Sequence, residues 1–282
     1  MTAPRRRAVV AGCGFVGLQV ARQLDALGWE VTGLTHGEAS ARALAGERFP
    51  VVPLDITDRP ALASLKEGGP WDAVVGCVSS GRQGAAVYRQ VYLEGTRHLL
   101  EELTPARFVF SSSTSVYAQT DGSVVTETSE TAPTRETGQI LLDAETLVTA
   151  AGGNVVRLGG LYAPGRWALL ERFLDGRAVM EESGKRYINQ IHRDDAAAAL
   201  VFMLTGAGGG ALPPGIYNAT DGSPLTQREA YTLFSDLLGK PLPPSGPIDW
   251  NRKRGWSSKR VGIGKLLAAG WRPQHPDCRK FL

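Results

Sequence analysis

The stretch RAVVAGCGFVGLQVARQL, residues 7–24, restricts the fold more than any other. Its first five residues end in an apolar run without alternation, which predicts a strand buried on both faces. Beyond Gly17, apolar residues recur at three- and four-residue spacing (Val20, Ala21, Leu24), which predicts a helix. Between them lies Gly12-x-Gly14-x-x-Gly17. In such a loop the first glycine makes the tight turn and the second lets backbone approach a pyrophosphate. The third lets helix and strand pack closely, and the helix N-terminus turns its N–H groups to the phosphates. A dinucleotide site is therefore expected at Gly12, Gly14, Phe15, Val16 and Gly17. The competing reading is a glycine-rich turn that binds nothing.

Strand and helix signals keep alternating through the first half. EVTGLT, FPVVPLDI, WDAVVGCVSS, ARFVFSSSTSVY and NVVRLGGLY read as strands, separated by helical stretches. That order predicts an α/β fold, a doubly wound parallel sheet of six or seven strands with a smaller C-terminal substrate lobe. With 43% hydrophobic residues in 282, the chain can bury a core of that size. The second half is less regular, with GAGGGALPPG and PLPPSGP as connectors. The expected division is a core over residues 1–165, rejoined by about 188–222, and a lobe from 166–187 and 223–282.

Bulk charge removes other classes. The net charge is +3, and no basic stripe with interleaved aromatics exists, so nucleic acid is not an expected partner. Arg5, Arg6 and Arg7 read as a solvated lead-in to the first strand. No apolar run spans a bilayer, and AVVAGCGFVG is too short and glycine-rich for a signal peptide. A cytoplasmic protein without membrane contact is expected. Cys13, Cys77 and Cys278 are few and scattered, which suggests a reducing compartment without disulfides or zinc. The four histidines show no ligand spacing, so no metal is expected. The Glu181/Glu182 pair reads as a solvated face. Cys13, beside a helix N-terminus, reads as a space-filler before a reactive thiol.

About 20 residues past the glycine loop a ribose selector is expected. The chain has Thr35 and His36 there, and Arg42 in the next helix. No Asp or Glu stands at the strand end to repel a 2′-phosphate, so NADP(H) is slightly favoured over NAD(H).

GCGFVG, PLDITD, VVGCVSS, YRQVYLEGTRHLLE, RFVFSSSTSVYA, VVRLGGLYAPGR, INQIHRDDAAAAL and AAGWRPQHP together resemble the extended short-chain dehydrogenase/reductase family of nucleotide-sugar epimerases and dehydratases, over essentially the full length. The resemblance implies that Asp55 faces the adenine amine and that Ile56 lies beside the ring. It implies that Val78, Ser79 and Ser111 line the nicotinamide ribose side, and Gly160 and Leu161 the carboxamide end. Ser113 matches the serine that polarises a substrate oxygen. The family's tyrosine and lysine positions hold Thr137 and Leu141, and Tyr92 matches an asparagine, while Glu145 keeps the register. A threonine hydroxyl is too weak an acid for the tyrosine's task. The pattern is similar to the atypical, tyrosine-deficient branch of the YeeZ type.

Tyr117, four residues past Ser113, is the leading substitute catalytic group, with a packed aromatic as the commoner role. Ser80, Arg82, Tyr162, Arg166 and His192 are the candidate substrate-binding residues. The function expected is that of an NAD(P)-binding oxidoreductase or epimerase-like enzyme acting on a small carbonyl, imine or nucleotide-sugar-like substrate. The alternative is an inactive NADP-binding sensor or partner-binding protein. A homodimer through the helices after the fourth and fifth strands is allowed, and a monomer stays open.

Overall fold

A computed structural model of the chain describes residues 5–81, 83–251 and 255–281. Strands β1 (Arg7–Ala11), β2 (Glu30–Thr35), β3 (Val51–Pro53), β4 (Ala73–Gly76) and β5 (Arg107–Ser113) lie in one seven-stranded sheet. Strands Asn154–Leu158 and Gly215–Ala219 complete it beyond β5. The order runs β3-β2-β1-β4-β5 and then through those two. β1 pairs in parallel with β2 and β4, β2 with β3, and β4 with β5. The strand order reverses direction at β1. By the right-handed rule for parallel crossovers, helices on either side of that point fall on opposite faces. This is the doubly wound Rossmann architecture.

Burial explains the composition of the central strands. Ala8, Val9, Val10, Ala11, Ala73, Val74 and Val75 are each 0% exposed, so neither face of β1 or β4 tolerates a polar side chain. Helix α1 (Gly17–Ala26) buries Gly17, Val20, Ala21 and Leu24, the predicted stripe. Burying Val20 and Leu24 contributes about 1.5–3 kcal/mol each. The helix ends in a left-handed turn at Gly28, φ +82°, with Gly28 N–H on Asp25 and Trp29 N–H on Leu24. Helix α2 (Glu38–Ala43) follows β2, and α3 (Arg59–Ala63) is capped by the Asp58 carboxylate with Pro60 in its first turn. The helical stretch after β4 is three pieces: α4 (Ala85–Arg89), a π-helical turn over Gln90–Glu94, and α5 (Gly95–Leu103). Helix α6 spans Glu136–Ala150.

The chain divides into two compact units. The first holds the described residues of Met1–Ser112, Gln139–Val156 and Ala197–Tyr217; the second holds Ser113–Gly138, Arg157–Ala196 and Asn218–Leu282. This line differs from the one drawn on the sequence. Ser113–Gly138 belongs to the second unit, because its side chains bond to residues far along the chain in that unit.

The second unit has its own core of Tyr162, Trp167, Phe173, Met180, Ile188, Leu225, Tyr231 and Phe234. Helix α7 (Ala168–Leu174) and the capped helix Gln227–Leu238 contribute to it, the latter through a Thr226/Glu229 capping box. Among the described residues no helix is long and apolar enough to cross a membrane.

Candidate functional site

The glycine loop has the shape a pyrophosphate needs. Gly12 sits at φ +91°, and its N–H and that of Cys13 both bond to the Leu34 carbonyl, at 3.0 and 2.8 Å. A Cβ on Gly12 would lie 2.7 Å from the Cys77 carbonyl oxygen. A Cβ on Gly17 would collide with the Gly12 carbonyl oxygen. A Cβ on Gly14 would meet nothing within 4 Å. Two of the glycines are therefore demanded by the protein itself. Nothing in the protein crowds the third. No side chain caps the N-terminus of α1, which leaves that end suited to an anion. The residues present fit a dinucleotide.

At the end of β2, Thr35 is buried and His36 is 86% exposed at its side chain. His36 Nδ1 lies 3.3 Å from Asp55 Oδ2, while Asp55 Oδ1 accepts from the Thr57 N–H and hydroxyl at 2.9 Å. A carboxylate does stand beside the strand end, which corrects the reading that none is there. It arrives from the loop after β3, 19 positions beyond His36, and not from β2. Arg42 is exposed and lies 3.9 Å from Glu38. Ile56 is buried against Gly95, where any Cβ would strike it, so the Gly95 position is set by Ile56.

Along the next rim of the first unit, Val78 is partly buried, Ser79 exposed and Ser80 buried. The Gly81 N–H bonds to Ser79 Oγ at 3.3 Å. Burial pushes the Cys77 thiol up to about 12, with a hydrogen bond to Ser111 acting the other way. Burial likewise pushes Cys13 up to about 12. Both stay protonated, so neither is a nucleophile at neutral pH. Arg82 lies outside the described residues.

Glu145 and Tyr92 show how the first unit is filled. Ser112 donates to the buried Glu145 carboxylate at 2.5 Å. Tyr92, in the π-helical turn, stacks on Tyr88 at 4.2 Å and meets Phe110 edge-on. On α6, Leu141 is 3% exposed and Thr137 partly buried, one turn apart. Leu141 is a packing residue.

In the second unit, Ser113 is partly buried and its Oγ accepts the Ser115 N–H at 3.2 Å. Tyr117 is 0% exposed. Its hydroxyl donates to Asn218 Oδ1 and accepts from Arg157 Nη1, both at 2.9 Å. Burial, outweighing Arg157, pushes its phenol up. That geometry fits the packed role for Tyr117 and leaves it ill-suited to proton transfer. The Tyr117 carbonyl accepts from Lys259 Nζ at 2.8 Å, and the same amine donates to Ser257 Oγ at 2.7 Å. Burial, helped by Arg186, pushes the Lys259 amine down to about 7.

Gly160 lies in a short strand that pairs in parallel with Gln190–His192, and a Cβ there would lie 2.7 Å from Gln190 Nε2. Leu161 is partly buried and Arg166 exposed. Tyr162 and His192 are buried at 0% and 3% exposure. Burial and the neighbouring His275 push His192 down. Glu181, read as solvated, is 2% exposed and accepts from the Asp249 N–H and Trp256 Nε1. A strand that brings three distant segments around it explains the difference. Lys259, Asn218, Arg157 and Asp195 were not singled out for these roles. Each bonds to residues 40 or more positions away, a separation that no local pattern marks.

Comparison with known proteins agrees with this fold. The family model of the NAD dependent epimerase/dehydratase family matches residues 8–219. Protein YeeZ of Escherichia coli (strain K12) is 27% identical over 245 residues, covering 83% of this chain and 84% of its own. The 2′-dehydrokanamycin reductase of Streptomyces kanamyceticus is 28% identical over 260 residues, covering 86% of this chain and 69% of its own. DesIV, a dTDP-glucose 4,6-dehydratase from Streptomyces venezuelae solved with NAD and TYD bound, superposes with a TM-score of 0.77 at 25% identity. That match covers 95% of this chain and 92% of DesIV. With its glycine cradle, its strand order and a match over 212 residues, the chain belongs to the NAD dependent epimerase/dehydratase family.

Proposed function

We propose that the chain is an NAD(P)-dependent oxidoreductase or epimerase-like enzyme that works without a tyrosine–lysine pair. The observation that carries the reading is the open approach at Gly14, between two glycines the fold cannot replace. Gly12, Gly14, Phe15, Val16 and Gly17 would hold the pyrophosphate, and His36, Asp55 and Ile56 the adenosine. Val78, Ser79, Ser111, Gly160 and Leu161 would hold the nicotinamide end. The dinucleotide supplies the hydride chemistry when bound. Ser113 would polarise the substrate oxygen or nitrogen. Thr137 and Leu141 provide no acid, so the proton would come from water held by Ser113 or from the substrate itself. A protonated imine, or a carbonyl that needs little acid assistance, suits that deficit best. The buried Ser80 and the exposed Arg166 are proposed for substrate contact, with Arg82 on sequence grounds.

The phosphate preference rests on two opposed groups. His36 and Arg42 favour a 2′-phosphate, while Asp55 disfavours it. The test is a calorimetric titration with NADPH, NADP⁺, NADH and NAD⁺. A Kd below about 10 μM, roughly −7 kcal/mol, is expected for at least one. A carbonyl and imine panel with the preferred cofactor follows. Tight binding with no turnover on any compound would favour the second reading, a cofactor-binding sensor, which the burial of Tyr117 and Leu141 supports. We further propose a cytoplasmic protein that forms a homodimer through α5 and α6, to be checked by sedimentation.

A further inference from the structure

Two buried donors in the second unit have no partner. The Tyr162 hydroxyl and His192 Nε2 are both buried without a hydrogen bond among the described residues. Their rings are neighbours, 5.3 Å apart and nearly perpendicular. His192 Nδ1 accepts the Asp194 N–H at 3.3 Å. The proton of the neutral ring is therefore on Nε2, which makes that atom a donor. Tyr162 is also kept a donor, because burial and the carboxylates of Asp221, Asp195 and Asp277 push its phenol up. Buried polar groups are nearly always paired. Two adjacent unpaired donors describe a place for an acceptor.

The cover over this place is the segment from Gln274 to Phe281. Asp195 accepts the Gln274 and His275 N–H groups, each at 2.8 Å, and His275 Nδ1 lies 3.1 Å from the same carboxylate. The His275 ring lies against His192, centroids 3.9 Å apart and tilted by 30°. Phe281 closes the arrangement, with ring centroids 5.1 Å from Tyr162, 5.2 Å from His192 and 6.2 Å from Trp167. Phe281 lies in a single 3₁₀ turn, Cys278–Phe281, and is only partly buried. Cys278, at the start of that turn, is 0% exposed and its N–H bonds to Asp221 Oδ2 at 3.3 Å, whereas Phe281 is held by ring contacts and is the part of the turn that can move locally.

We propose that the Phe281 side chain is a displaceable plug over a ligand pocket in the second unit, and that the pocket takes a small neutral aromatic ring bearing a carbonyl oxygen. The ring replaces Phe281 against Tyr162 and Trp167. The carbonyl oxygen accepts from the Tyr162 hydroxyl and His192 Nε2–H. An anionic ligand is disfavoured because Asp195 and Asp277 already place negative charge near Tyr162. This pocket concerns the second unit alone and stands whether or not the first unit binds a dinucleotide.

The test is calorimetric titration with acetophenone of the wild-type protein, Phe281→Ala and the double variant Phe281→Ala/His192→Phe. The Ala variant is expected to bind at least tenfold more tightly than wild type, and the double variant to lose that gain. Ethylbenzene, which lacks the carbonyl, is expected to gain clearly less. Equal affinity for wild type and Phe281→Ala overturns the proposal, as does a gain that survives in the double variant or is the same for ethylbenzene. Phe281→Leu, which keeps apolar cover but removes the ring, is the second variant. Failure of both single variants to fold, read by circular dichroism, would make the turn part of the core and also overturn it.

Discussion

The glycine loop after β1 and the Ser113–Tyr117 segment after β5 are both turns that follow a central strand, yet they are built in opposite ways. The first is made of missing side chains. Gly12 and Gly17 are required by backbone atoms within the protein, and Gly14 is required by none of them. The second is full of side chains. Tyr117 is tied at its hydroxyl by Asn218 and Arg157 and at its carbonyl by Lys259. A turn built of glycines leaves its backbone open to approach, here at Gly14. A saturated turn is a positioning element, because its polar atoms are already spent on its own unit.

The largest effect that could break this comparison is at Gly17. Gly17→Val places a branched side chain into the Gly12 carbonyl, and overpacking against backbone has little room to relax. A loss of about 3 kcal/mol or more in urea unfolding is expected, with dinucleotide binding abolished. A loss below about 1 kcal/mol would mean that strand and helix do not pack as described.

Tyr117→Phe comes next. It removes one hydroxyl and strands the facing Asn218 oxygen in a buried site. A loss of about 2 kcal/mol is expected, with dinucleotide affinity unchanged by calorimetry. If turnover on an identified substrate vanished while stability held, Tyr117 would be a catalytic group and the contrast between the two turns would fail.

Lys259 sharpens the comparison through pH. Its amine is near 7 in the folded chain against 10.5 for the ordinary value. Between those values the unfolded chain binds the extra proton, so stability rises with pH across that window. From pH 7 to 9 the wild type is expected to gain about 1–2 kcal/mol more than Lys259→Met does, read from urea midpoints at each pH. Parallel pH curves for the two proteins would show that the amine is charged and solvated.

Gly14→Ala has the smallest effect on the fold. Nothing lies within 4 Å of the new methyl group, so stability is expected to change by less than about 1 kcal/mol. Dinucleotide affinity is nevertheless expected to fall at least tenfold. Unchanged affinity would place the pyrophosphate elsewhere.

The same contrast explains what was legible in the sequence. β2 occupies the EVTGLT stretch and α1 the predicted stripe, because burial of a parallel strand or an amphipathic helix writes its period into neighbouring residues. The π-helical turn around Tyr92 was not legible, since one extra residue per turn leaves no compositional mark. The carboxylate beside His36, Asp55, was read at the adenine but not at the ribose, for a different reason. It was sought on β2, where the spacing rule applies, and comes from beyond β3. Glu181 was read from its neighbour Glu182 as a solvated pair, although its partners Asp249 and Trp256 lie 68 and 75 positions away.

By itself, then, the sequence determined the doubly wound core, the glycine cradle and the replacement of tyrosine and lysine by Thr137 and Leu141. These are properties of residues close together in the chain, where backbone conformation and side-chain period act locally. Only the tertiary structure decided that Tyr117 is locked, that Lys259 is a buried amine, and that Phe281 covers Tyr162 and His192. Those outcomes depend on desolvation and on hydrogen bonds between residues tens to more than a hundred positions apart. Neither quantity exists until the chain has folded.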